Sequence, residues 1–224
     1  MTDVWDRLLD AQAAGGGATG SLPGLVVGVV SNLKDPDGRG RVRVKLPVLG
    51  TDLESEWARV AAPFAGSETG ALFALQVGDE VLVAFLHGDA SLPVVLGGLW
   101  NGKDKLPVAD ATKGTEHCLK TKSGHVIRLV DEQGKELVEI AGAKSSGRIL
   151  VDAAKKTVTV TGDSGVTIEA PNGPVTLKGK GIVLESTQDV TVKAQGSAEV
   201  KANAKVTVQS SGITQIKGSQ VQLN

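Results

Sequence analysis

Between residues 22 and 100 the apolar positions recur with the two-residue period of β-strands. GLVVGVVSNL (24–33) is a β-branched run, and the following DPDGRG (35–40) is a turn punctuated by Pro36 and Gly38. In RVRVKLPVL (41–49), Arg41, Arg43 and Lys45 alternate with Val42, Val44 and Leu46, as in a half-buried strand. EWARVAAPF, GALFALQ, DEVLVAFLHGD and VVLGGLW read as further strands. Short strands at this density predict a small barrel over 22–100. Ahead of it, residues 2–13 predict a short helix capped by Asp3, with Val4, Trp5, Leu8 and Leu9 on one side. So short a helix needs another surface to hold it. Residues 14–21, AGGGATGS, complete the segment 1–21 as a flexible linker.

A polar connector (101–120) leads into a region, 121–224, with a different rhythm. GHVIRLVDEQGKELVEI (124–140) gives two strand runs about the turn Glu132–Gly134. Beyond it, apolar residues recur in pairs one apart: Ile149/Val151, Val158/Val160, Val166/Ile168, Val175/Leu177, Ile182/Leu184, Val190/Val192, Ala198/Val200, Val206/Val208, Thr214/Ile216 and Val221/Leu223. The step between pairs averages 8 residues, with turn formers such as Asn172–Gly173 between them. Two inward side chains per octad supply roughly 1.5–3 kcal/mol each, against about 8–16 kcal/mol to order eight backbone residues. A coil this short cannot enclose a private core. Several chains wound together can share one axial core, and three suit a triangular section. The pattern therefore predicts an intertwined trimeric β-helix, a β-prism needle, over 121–224, and the chain as a whole is expected to be all-β.

Composition sharpens that division. The three Trp and three Phe all precede position 101, and Tyr is absent. Rings supply much of an ordinary core, so they are expected to fill the barrel core, while the needle axis is too narrow for them. The formal charge of −1 argues against a strongly basic nucleic-acid binder. Cys118 is the single cysteine, which excludes an intrachain disulfide framework. No basic-then-apolar leader and no run of about 18 apolar residues is visible, so synthesis in the cytoplasm without a signal peptide is expected.

Gly40–Leu46 (GRVRVKL), Glu56–Gly66 (EWARVAAPFAG), Val77–Asp89 (VGDEVLVAFLHGD), Leu92–Asn101 (LPVVLGGLWN) and Thr121–Arg128 (TKSGHVIR) resemble, in this order, the central spike of contractile injection systems. That family includes phage baseplate assembly protein V and the spike part of the type VI secretion protein VgrG. The resemblance implies an OB-fold barrel, a homotrimer, a β-helical needle under a tail tube, and puncture of a target membrane on sheath contraction. It places the particle in the baseplate of a phage tail or phage-like injection machine. The connector is too short for the lysozyme domain of some relatives, and residues 1–21 leave no room for the VgrG hub, so a separate hub protein is implied. No histidine follows His125, so the apical iron-binding histidines of some phage spikes have no counterpart. An end formed by Val221, Gln222, Leu223 and Asn224 suits capping by a PAAR-type tip protein, with effector cargo possible there.

The resemblance makes the chain a structural protein rather than an enzyme. The residues agree with that reading. Asp35, Asp37 and Gly38 begin like a calcium loop, but Leu46 stands where its Glu belongs, so a turn is expected. His117 and Cys118 point opposite ways on a strand. His125 is expected to pack or hydrogen-bond. The basic stripe of Arg39, Arg41, Arg43 and Lys45 lacks interleaved rings for base stacking. Arg41 and Arg43, with Val4, Trp5, Leu8 and Leu9, are the expected hub contacts. The competing function is an OB-fold module for glycan or single-stranded nucleic acid, oligomerised by the β-helix.

Overall fold

The computed structural model describes residues 24–49 and 53–222. The chain divides after Val166 into two units, each described by itself.

The first unit holds two five-stranded sheets. The first comprises β1 (Leu25–Asn32), β2 (Arg43–Lys45) and β3 (Arg59–Val60). A two-stranded hairpin, β4 (Ala65–Gly66) and β5 (Thr69–Gly70), stands apart from it, and β6 (Glu80–Phe85) and β7 (Pro93–Gly98) complete it. The strand order is β2-β1-β6-β7-β3, antiparallel except for the parallel β3–β7 pair. β1 pairs with β2 and β6, and its register against β2 shifts between Val30 and Asn32. Such a bulge bends and twists a strand. Gly28 lets the strands approach: a Cβ there would lie 3.2 Å from the Lys45 carbonyl oxygen and from Val83. The sheet thus curls, and Val42 and Ala58, at its two edges, bridge by N–H···O bonds of 3.0 and 2.8 Å. This is the expected OB-type barrel.

Its core differs from expectation. Val30, Val42, Val44, Leu46, Ala58, Val81, Val83, Phe85 and Val95 fill it, and Phe85 is the only ring among them. Phe64, Phe73 and Trp100 are exposed. The largest side chains that are wholly buried are valines, the size a narrow closed interior accepts. GALFALQ is not a strand: only Thr69–Gly70 pairs, and Leu72 is 89% exposed.

The second sheet is a meander of β8 (Glu116–Lys120), β9 (Val126–Val130), β10 (Leu137–Ala141), β11 (Gly147–Asp152) and β12 (Thr157–Gly162), all antiparallel. β8 falls inside the segment expected to be connector.

From Asp163 the described backbone pairs with no other strand of the chain. It bends sharply at Asp163, Pro171, Gly179, Thr187, Gln195, Asn203, Ser211 and Ser219, and each step is 8 residues. The octad seen in the apolar pairs is therefore also a backbone period. Val175/Leu177 are one residue late, after the three-residue turn Pro171–Gly173, and Val221 is one residue early. The described structure shows no closed β-helix here.

Candidate interaction surfaces

Side chains alternate across a strand, so register decides which residues share a face. In the meander, Leu119, Ile127, Ile140, Ile149 and Val160 form one row across all five strands. His117, Leu129, Val138, Val151 and Val158 form the next. The nine aliphatic side chains are 40% to 67% exposed. Burying an aliphatic side chain fully contributes roughly 1.5–3 kcal/mol, so covering the uncovered half of this face is worth on the order of 10 kcal/mol. A face so large and apolar marks an interaction site. The octads announce only its last two strands. The same i, i+2 signal stands in Ile127/Leu129 and Val138/Ile140, at wider spacing.

The opposite face sets a charged ladder among the half-buried apolar side chains Val126, Val130, Leu137 and Leu150. Glu116, Arg128, Glu139 and Arg148, one from each of four adjacent strands, form a ladder of alternating charge. Arg128 donates to Glu139 at 2.6 and 2.9 Å and to Glu116 at 3.4 Å, and Arg148 reaches Glu139 at 2.6 Å. Glu139 is buried, and a buried carboxylate must be paired. Burial alone would lower the Arg128 pKa, but the bonds to Glu139 and Glu116 outweigh it and raise it. Because the ladder lies on one side and the two exposed rows on the other, a one-residue register slip would exchange them.

His125 ties two turns together. It accepts the Ala143 N–H at Nδ1 (3.1 Å), which requires the Nε2–H tautomer, and its own N–H donates to Thr121 Oγ1 at 3.0 Å. His117 Nε2 lies 3.6 Å from Asp131 on the apolar side, while Cys118 points to the other. Among the described residues no three His, Cys, Asp or Glu side chains converge as a metal site.

The loop before β2 is organised by Asp35, whose side chain is only 3% exposed. It accepts backbone N–H groups of Asp37, Arg39 and Arg41, and two bonds from the Arg41 guanidinium, the shorter 2.7 Å. The Arg41 bond is the largest cause holding the Asp35 carboxyl far below the usual carboxylate range. The same pairing raises Arg41. Arg41 also bonds Asp37 at 2.7 Å. Arg43 stacks over Trp57 at 5.1 Å and lies 3.7 Å from Glu54. The two basic residues expected at the hub are thus engaged within the barrel, and Arg39 and Arg59 are the exposed ones beside them. Val221 and Gln222 are exposed; Leu223 and Asn224, like Val4, Trp5, Leu8 and Leu9, lie outside the described residues. Among the described residues no helix is long and apolar enough to cross a membrane.

Residues 26–100 match the Type VI secretion system/phage-baseplate injector OB domain. Similar proteins include the type VI secretion system spike protein VgrG1a of Pseudomonas aeruginosa, 26% identical over 151 residues, which covers 62% of this chain and 24% of that protein. The spike protein VgrG3 of Vibrio cholerae is 33% identical over 125 residues, covering 53% of this chain and 12% of that protein. The actin cross-linking toxin VgrG1 of Vibrio cholerae is 28% identical over 117 residues, 48% of this chain and 11% of the toxin. The chain spans a quarter or less of the length of these relatives. A curled valine-cored sheet and the matched segment agree on an OB-type injector domain over residues 26–100, and the chain is similar to VgrG spike proteins.

Proposed function

We propose that this chain is the spike of a contractile injection machine of the type VI or phage-tail kind, assembled as a homotrimer and mechanical in its work. The observation that carries the reading is the two-row aliphatic face of the meander, which no part of the same sheet covers. Three copies placing this face on a common axis bury it. The unpaired octads then find their strand partners in neighbouring copies, as a trimeric β-helix. Valines such as Val192 and Val208, now 81% and 79% exposed, turn inward. A rod of interchain hydrogen bonds transmits the force of sheath contraction. The barrel joins a separate hub protein below the tail tube, and the end at Val221–Asn224 receives a PAAR-type tip that carries any effector to the target membrane. The same reading gives the chain itself no catalytic role, and the spike names of its relatives support that.

Light scattering on the purified chain tests this. The expected mass is near three times the chain's 23.0 kDa. A stable monomer at micromolar concentration would sink the reading.

A further inference from the structure

Two clefts on the barrel share Arg39 and Arg59 as lining residues. The larger, about 560 Å³, is bounded by the β4–β5 hairpin and exposes Phe64, Leu72 and Phe73. The smaller, about 380 Å³, includes Trp57. Arg39 has its nearest acid, Asp37, at 3.8 Å, and among the described residues Arg59 has none within 4 Å. The opposing charges on the walls are Glu68 in the larger cleft and Glu56 in the smaller. The larger cleft is lined mainly by apolar side chains, and two exposed, weakly engaged guanidinium groups line both clefts.

The chain itself contains a segment of the complementary kind. Residues 3–10, DVWDRLLD, carry Asp3, Asp6 and Asp10 against Arg7, and place Val4, Trp5, Leu8 and Leu9 between them. Register fixes how far this segment must travel. Leu25, where β1 begins, pairs with Ala84, Ala84 with Val94, and Val94 with Arg59. The start of β1 and Arg59 therefore share one level of the sheet, three strand spacings apart, or about 14 Å. Residues 11–24 join Asp10 to Leu25 and are rich in Gly and Ala. A flexible linker of this length has a root-mean-square span of roughly 20 Å, and its full reach is about 46 Å. A span close to the required distance gives an effective concentration in the millimolar range.

We propose that residues 3–10 occupy this double cleft on their own barrel, with Trp5, Leu8 and Leu9 against Phe64, Leu72 and Phe73, and the aspartates against Arg39 and Arg59. This stands independently of the spike reading. It assigns the segment to the chain's own barrel instead of a hub protein.

Hydrogen exchange on the full chain tests it, with a disulfide trap as a second measurement. Amides of residues 4–10 should exchange at least tenfold more slowly than in the Arg39→Glu/Arg59→Glu variant, and adding Asp3→Lys/Asp6→Lys to that variant should restore the protection. In a Cys118→Ser background, Leu8→Cys and Leu72→Cys should oxidise to a bond within one polypeptide, seen as a fast-running single-chain band on a denaturing gel. Free-peptide exchange rates in the unaltered chain would overturn the proposal. So would protection that survives charge reversal, protection that arises only on adding a hub protein, or a cross-link joining two copies.

Discussion

The two five-stranded sheets use similar residues and reach opposite outcomes. The barrel buries nine residues against each other, five of them valines exposed by no more than 1%. The meander leaves nine aliphatic side chains about half exposed. Composition does not explain the difference, since Val and Leu are prominent in both, and only the meander adds Ile. Connection does. β1 is long enough to pair on both sides, is bent by a bulge after Val30, and is thinned at Gly28. Those features curl the first sheet until Val42 meets Ala58. β8 to β12 pair only with their sequence neighbours, without a register shift, so the second sheet has nothing with which to close. A sheet that cannot fold over its own apolar face has to find a cover elsewhere.

That contrast can be broken most forcefully on the open face. Ile140→Asp puts a carboxylate in the middle of one row. If the face is covered between copies, an unpaired buried charge in each of them costs several kcal/mol. We expect assembly to fail in sedimentation velocity while the barrel stays folded. On the proposed shared axis a ring has no room, so Val192→Trp or Val208→Trp should also block assembly; an intact trimer in both variants would refute that axis. A smaller effect separates the regions by concentration. Val83→Ala opens a cavity in the barrel and should lower its stability by about 2 kcal/mol, by the same amount at every protein concentration. Melting of the meander should rise with concentration instead.

Glu139→Gln leaves Arg128 and Arg148 sharing a neutral partner. It should cost about 1–2 kcal/mol, read in the denaturant midpoint, and 1 M salt should shrink the difference because the ladder is partly screened. The smallest effect lies in the loop. Asp35 has its pKa depressed in the folded state. Its contribution is therefore present above the ordinary aspartate value of about 3.9 and is lost as pH falls below it. The melting temperature of Asp35→Asn should lie below that of the unaltered chain at pH 7 and converge with it in acid. A constant gap across pH would assign the loss to shape instead of charge.

Much of the fold was legible because alternation is a local signal. The strands of the barrel, the hairpin turn near Glu132 and the octad could all be read from neighbouring residues. What depends on pairing between distant segments could not. Ring-bearing residues were assigned to the barrel core by type, yet Phe64, Phe73 and Trp100 stand outside because the closed interior is only valine-wide. GALFALQ is apolar without alternating, and only its first residue, Gly70, lies in a paired strand. The open face was half visible. Ile149 and Val158 belong to the octads, but Leu119, Ile127 and Ile140 join them only once the register of four hairpins is known. The ladder from Glu116 to Arg148 is likewise a product of register. Of the expected contact residues, Arg41 and Arg43 are engaged by Asp35, Asp37, Glu54 and Trp57, partners that lie four to fourteen positions away.

The eight-residue spacing of the backbone bends limits how the C-terminal segment can change in length. Eight is even, so alternation returns equivalent positions of successive octads to the same side. An insertion of one residue would send every later aliphatic pair to the wrong side, and an insertion of two would displace the bends from their column. The segment already shows how an error is absorbed: the nine-residue step to Val175 is followed by a seven-residue step to Ile182, which restores the frame. A change by whole octads keeps both the bends and the aliphatic pairs in frame.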